Sequence, residues 1–186
     1  MRTRTITAAA LLALAMPAQL WAHLPAGRAA PPIHTEAALA GKATTFDLAA
    51  ALKRGPVVLY FYPKAFTQGC TLETRAFAEK QPEFAAAGAT IVGLSADDMA
   101  TLKRFSQQEC SDKFPVGIAT PAIIKAYDVA LKRDGGGKGS GGDGGLSDRT
   151  SYVIGQDGRI RFVHSDLDYR DHVRLTLAAV QALRAK

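Results

Sequence analysis

Residues 57–70 read Val57-Val58-Leu59-Tyr60-Phe61-Tyr62-Pro63-Lys64-Ala65-Phe66-Thr67-Gln68-Gly69-Cys70. The first six are aliphatic or aromatic without a polar interruption, the composition of a strand buried on both faces. The next eight lead into a helix expected over Thr71–Ala87, where Leu72, Ala76, Phe77 and Phe84 oppose Glu73, Arg75, Glu79 and Lys80, and where Pro82 is expected to kink or end the helix. A buried strand running straight into an amphipathic helix is the opening of an α/β sheet. The rest of the chain repeats the alternation. Gly88 precedes a second buried strand, Thr90–Ser95, and Asp97 and Asp98 start a helix through Met99, Leu102 and Phe105 towards Cys110. A short helix is expected over Thr120–Val129. Strands at Thr150–Ile154 and Arg159–His164 flank a Gly155-Gln156-Asp157-Gly158 turn, and an amphipathic helix closes the chain over Asp168–Ala185. The fold class is therefore α/β, a central mixed sheet flanked by helices.

Composition narrows the function. The 186 residues are 47% hydrophobic and 22% charged, which suits one globular domain. The net charge of +6 falls to +4 once Arg2 and Arg4 are set aside, and the basic residues are dispersed, so no nucleic-acid partner is expected. Two cysteines, Cys70 and Cys110, exclude a disulfide-dense scaffold and a four-cysteine zinc site.

The N-terminus has the layout of a secretory signal peptide over 1–22: Arg2 and Arg4, an apolar stretch Ile6–Met16, then Pro17, Gln19 and Ala22 before His23. The apolar stretch is about half of the ~20 residues a membrane span needs. Export to the periplasm or outside the cell is expected, with cleavage after Ala22 and no stable membrane association afterwards. Residues 23–42, with Pro25, Pro31 and Pro32, read as a loosely ordered lead-in to a single domain over 43–186. Within it, Asp134–Gly145 holds eight of the 17 glycines. Lys138 is followed by Gly139 rather than Ser or Thr, which breaks the phosphate-loop pattern, and the segment reads as a flexible surface insertion.

The strand-to-helix junction is where an α/β sheet gathers catalytic groups. Cys70 falls there, in the expected first helical turn, where unpaired N–H groups and the helix dipole favour a thiolate, the nucleophilic form of the residue. Thr67, three residues earlier, reads as a helix N-cap.

The spacing Pro63-x-x-x-Thr67-x-x-Cys70, within FYPKAFTQGCTLE, resembles the active-site signature of the peroxiredoxins, in particular their bacterioferritin-comigratory or Q-type branch. GATIVGLSADD and DRTSYVIGQDGRIRFV match in order, so that the likeness covers about residues 43–180. The resemblance implies a thioredoxin-like fold and a thiol-dependent peroxidase without metal or organic cofactor, acting on hydrogen peroxide and organic hydroperoxides. It implies that Cys70 is the peroxidatic cysteine, forming a sulfenic acid, and that Thr67 and Arg149 bind the thiolate and the peroxide while Pro63 shields them. Backbone N–H groups near Gly69 and Cys70 would assist. Glu73 matches a glutamate of that branch, and reads equally as a first-turn acid favoured by the helix dipole.

The position five residues after the peroxidatic cysteine, where some members carry a resolving cysteine, is Arg75 here. Others place it in the next helix, and Cys110 fits that arrangement, giving an intramolecular disulfide after local unwinding. Two alternatives stand beside it: a one-cysteine enzyme reduced by an external thiol, and a permanent structural disulfide, which would block Cys70. A thiol–disulfide oxidoreductase of the thioredoxin fold would need a C-x-x-C pair, which the neighbours of Cys70 do not supply. Metal delivery is not expected either, because His164 and His172 read as strand and surface-helix residues. The partners implied are a peroxide and a thioredoxin-like or other thiol reductant, for a monomer or weak dimer.

Overall fold

The computed structural model describes residues 23–131 and 145–184. The expected signal peptide and all of the glycine-rich insertion but Gly145 lie outside the described residues. A seven-stranded sheet runs in the order β2-β1-β5-β4-β3-β6-β7. Its strands are β1 (His34–Leu39), β2 (Lys42–Asp47), β3 (Val57–Phe61), β4 (Thr90–Ser95), β5 (Val116–Ile118), β6 (Thr150–Ile154) and β7 (Ile160–Ser165). β3, β4 and β5 pair in parallel, whereas β1–β2, β1–β5, β3–β6 and β6–β7 are antiparallel. The helices are α1 (Leu48–Leu52), α2 (Gln68–Ala86), α3 (Met99–Gln108), α4 (Pro121–Ala126) and α5 (His172–Arg184), the last entered through a 3₁₀ turn at Tyr169–Asp171.

The apolar run Val57–Tyr62 lies at the centre. Val58, Tyr60 and Tyr62 face a core with Phe77 and Phe84 of α2, Leu102 and Phe105 of α3, and Val173 and Val180 of α5. Val57, Leu59 and Phe61 face the opposite core with Leu48 of α1 and Ile123 and Ile124 of α4. Period-two alternation thus feeds two helical layers from one strand, which explains why no polar residue interrupts it.

Three expectations are corrected. Residues 34–42 are not loosely ordered: they form an edge hairpin, joined by Ala40 and Gly41 at φ 50° and 73°, the left-handed pair a two-residue turn requires. Residues further upstream are tied down as well, because Gly27 N–H donates to Ile160 C=O at 2.7 Å and Ala30 N–H to Gly158 C=O at 2.8 Å. Pro82 lies inside α2 rather than ending it. A proline leaves the carbonyl four residues earlier without its N–H, and that carbonyl, Ala78, accepts instead from Lys113 Nζ at 2.8 Å. Finally, α3 stops at Gln108, so Cys110 sits in the turn beyond it, before Ser111 and Asp112 at φ 50° and 60°. Two consecutive left-handed residues are incompatible with a continuing helix.

The residues that flank the glycine-rich segment pair with one another. Ala130 and Ser147 form an antiparallel bridge, Leu131 N–H donates to Leu146 C=O at 2.9 Å, and Asp148 N–H to Val129 C=O at 2.7 Å. This paired stem delivers the chain to Arg149 and β6.

Candidate active site

The loop from β3 to α2 is held at three points. Tyr62 N–H donates to Leu94 C=O at 3.1 Å, Ser147 Oγ donates to Tyr62 C=O at 2.9 Å, and Ala65 N–H donates to Asp97 Oδ2 at 2.7 Å. Asp97 is steadied in turn by Ser95 Oγ at 2.8 Å. Of the two acids expected to start the next helix, Asp98 does so, its carboxylate accepting from Thr101 N–H at 2.8 Å, whereas Asp97 braces this loop.

Cys70 is the third residue of α2 and is 1% exposed. Arg149, 5% exposed, sets its side chain against it. Nη2 donates to Cys70 Sγ at 3.4 Å, Nη1 pairs with Glu73 Oε2, and Nε donates to Leu167 C=O at 2.9 Å. A guanidinium presents its donors in a fixed plane, so these contacts fix its position between the sulfur and the carboxyl group. Arg149 is thus a buried residue of the site and not a surface charge. Gly69 has a steric reason to be glycine: a Cβ there would lie 3.2 Å from Arg149 Nη2.

Thr67 occupies the N-cap position of α2, but its side chain makes no capping bond. Its hydroxyl donates to Lys64 C=O at 2.9 Å, while its own carbonyl accepts from Thr71 N–H at 2.9 Å. Pro63 is half-buried at the head of the same loop.

Glu73 is not a solvated first-turn acid. It is 0% exposed, and burial pushes its carboxyl up to about 8 against the opposing pull of Arg149. His172, read as a helix-surface residue, is buried as well: Nδ1 lies 3.6 Å from Glu73 Oε1 and 2.8 Å from Ser151 Oγ, and Nε2 lies 2.9 Å from Asp166 C=O. Burial holds its imidazole down to about 4. The ring of His164, on β7, sits 4.5 Å away. The sequence carried one usable signal for His172: it shares a helical face with Thr176 and Val180, at four-residue intervals, and both of these are buried.

Cys110 belongs to the same core as Cys70, and both thiols are free. Burial, with Glu109 and Asp112 nearby, pushes the Cys110 thiol well up, so it is held protonated. The Cys110 turn is fastened to α2 by Arg75 Nε–Glu109 Oε2 at 2.5 Å and by the Lys113–Ala78 contact. Arg75 thus secures the turn that carries Cys110.

This arrangement can do nucleophilic sulfur chemistry: a buried cysteine at a helix N-terminus, a cation donating to its sulfur, and a second thiol in the same core. Comparison with known proteins agrees. Residues 26–163 match the model of the AhpC/TSA family. Peroxiredoxin Bcp of Xanthomonas campestris is 31% identical over 160 residues, 80% of this chain and 97% of that protein. Peroxidoxin BcpB of Mycobacterium tuberculosis superposes with a TM-score of 0.74 at 28% identity, covering 87% of this chain and 99% of that one. The Xanthomonas campestris bacterioferritin comigratory protein, solved in work on its alkyl peroxide reduction activity, superposes at 0.68 with 30% identity, covering 81% of this chain and 92% of that one.

Proposed function

The chain belongs to the AhpC/TSA family and is a thiol peroxidase of the peroxiredoxin type, with a thioredoxin-like fold; from that premise we propose that Cys70 is the peroxidatic cysteine, that Cys110 resolves it, and that hydrogen peroxide and alkyl hydroperoxides are substrates. The observation that carries this reading is the bond from Arg149 Nη2 to Cys70 Sγ inside a buried site. A guanidinium donates more strongly to a thiolate than to a thiol. The thiolate attacks one peroxide oxygen, the O–O bond breaks, and the other oxygen leaves as hydroxide or alkoxide and takes up a proton. The Arg149 cation stabilises charge on the reacting oxygens, and the Thr67 oxygen keeps lone pairs for the peroxide O–H. Cys110 then attacks the sulfenic sulfur, S–S forms and water leaves. A thioredoxin-type dithiol, the reductant that goes with the family, returns both cysteines to thiols.

Organic hydroperoxides are supported by exposed apolar residues around the site. Phe66 and Leu72 flank Cys70 in sequence, and Leu167, whose carbonyl anchors Arg149, is 61% exposed. Leu167→Ala is expected to raise KM for an alkyl hydroperoxide and leave that for hydrogen peroxide unchanged.

The deciding experiment is intact mass after one equivalent of hydrogen peroxide. Wild type should lose two hydrogen atoms, Cys110→Ser should carry a trappable sulfenic acid, and Cys70→Ser should do neither. Sulfenic acid in wild type with no disulfide would establish the one-cysteine route instead. Export is proposed on the N-terminal pattern alone, and a mature chain beginning at His23 in the periplasmic fraction would bear it out. A monomer or weak dimer is proposed on the resemblance, to be read by sedimentation.

A further inference from the structure

The second oxygen of Glu73 has no role in the chemistry above. Oε2 pairs with Arg149, whereas Oε1 is buried without a hydrogen-bond partner. Facing it at 3.6 Å is His172 Nδ1. The hydrogen on that ring can be placed from its contacts. Nε2 lies 2.9 Å from the Asp166 carbonyl, which can only accept, so Nε2 carries the hydrogen. In the neutral ring Nδ1 is then a bare acceptor, and the Ser151 hydroxyl donates to it at 2.8 Å. A carboxylate lone pair and an imidazole lone pair would therefore oppose one another in a desolvated site, a repulsion that a single proton relieves. Burial pushes Glu73 up to about 8 and His172 down to about 4, which places that proton on Glu73.

We propose that Glu73 is a neutral acid while Cys70 is a thiolate, and that it ionises when Cys70 is oxidised, replacing the sulfur as the anion that balances Arg149. The proposal rests on Cys70 being the peroxidatic sulfur. Among the described residues, Arg149 is the one cation that contacts both groups. Thiolate and carboxylate together would leave one negative charge uncompensated in the core, and either alone is matched. The other charged or titratable groups around the pair are Tyr60 of β3, whose buried phenol is held neutral beside Glu73, His164, beside His172, and Asp166 and Asp171 beyond the ring. His172 acts as a positioning residue: its bare Nδ1 favours the protonated form of Glu73 in the reduced enzyme.

The proton balance makes this measurable. Thiolate plus hydroperoxide plus one proton gives sulfenic acid plus alcohol, or plus water when the peroxide is hydrogen peroxide. Disulfide formation by Cys110 then releases water and no further proton. If Glu73 surrenders its own proton, the medium need not supply one. The test is proton uptake in weakly buffered solution with a pH indicator, at a pH just above 8, where Glu73 without a neighbouring thiolate ionises and where ultraviolet absorbance shows Cys70 to be a thiolate. One equivalent of hydrogen peroxide is added, and oxidation is verified by mass. Wild type should take up far less than one proton per oxidised Cys70, Glu73→Gln a full proton, and His172→Phe an amount shifted towards one. An infrared difference spectrum of wild type, which needs no variant to fold, should show a carboxylic-acid C=O band lost on oxidation. A full proton taken up by wild type, equal uptake in wild type and Glu73→Gln, or an unchanged acid band would overturn the proposal while leaving Cys70 as the reactive thiol. Absence of oxidation at Cys70 would instead remove the reading beneath it.

Discussion

Loosening the Cys110 turn from α2 should accelerate disulfide closure. The two fastenings, at Arg75 and Ala78, lie five and eight residues beyond Cys70 on one helix. At a rise of ~1.5 Å per residue they are ~8 and ~12 Å along its axis. A disulfide tolerates a Cα separation of at most ~7 Å, so the turn must detach before the sulfurs meet. The Arg75 side chain is 61% exposed and Glu109 8%, so solvent screening limits their pair to about 1 kcal/mol. Arg75→Gln should therefore raise the detached population, and with it the closure rate, about fivefold. Lys113→Met removes a charged hydrogen bond worth about 1.5 kcal/mol and leaves the Ala78 carbonyl without a donor, because Pro82 has none to offer. The double variant should close about 60-fold faster, from about 2.5 kcal/mol in total. Rapid quenching with a thiol-blocking reagent, followed by intact mass, separates sulfenic-acid formation from disulfide formation. Unchanged closure in both variants, with sulfenic acid forming normally, would refute the requirement for detachment.

Other perturbations test the site itself. Arg149→Met removes the donor to Cys70 and should lower kcat/KM about 10- to 100-fold, as expected from the loss of a charged hydrogen bond of about 1.5–3 kcal/mol. Gly69→Ala places a methyl 3.2 Å from Arg149 Nη2, displacing the guanidinium by a few tenths of an ångström; a severalfold loss of peroxidase rate with little change in Tm is expected. Stability should depend on pH in two opposed ways. Glu73 is raised on folding to about 8, so its contribution is complete below its unfolded value of 4.5 and is lost as pH rises through 8. His172 is lowered on folding to about 4, so its contribution is present above its unfolded value of 6.5 and is lost as pH falls towards 4. The two offset one another between 4.5 and 6.5, and between 6.5 and 8 the Glu73 effect stands alone. Urea unfolding should show wild type declining over that upper window and Glu73→Gln remaining flat.

The elements that were legible in the sequence are those whose burial is local and complete. β3 is a five-residue apolar run, β4 and β6 are five or six residues long and buried along nearly all of their length, and the turn between β6 and β7 carries two glycines. The edge hairpin of β1 and β2 was missed because its strands are largely alanine, threonine and charged residues, with Ala37 and Ala38 the apolar pair that β1 buries. Its stability comes from pairing with β5 and from Gly41 N–H on Ser106 Oγ at 2.9 Å, contacts made across the chain. In the site, Cys70, Thr67 and Gly69 were readable because chemistry and helix start coincide within eight residues. Arg149 required a resemblance, since nothing local distinguishes it from a surface arginine. The burial of Glu73 and His172 arises only when α5 packs against the first turns of α2, which no window of sequence contains.

The paired stem before Arg149 has an engineering consequence. Ala130 and Ser147 are held side by side, and β6 begins three residues after Ser147. Lengthening such a connection is thermodynamically mild, about 0.6 kcal/mol for each doubling. A fluorescent domain whose own termini are adjacent can therefore be spliced there without breaking a strand pair. Because the returning stem reaches Arg149 within two residues, a shift of the guanidinium during turnover would pass directly into the spliced reporter. The stem is thus a port through which the redox state of the protein could be read in a living cell.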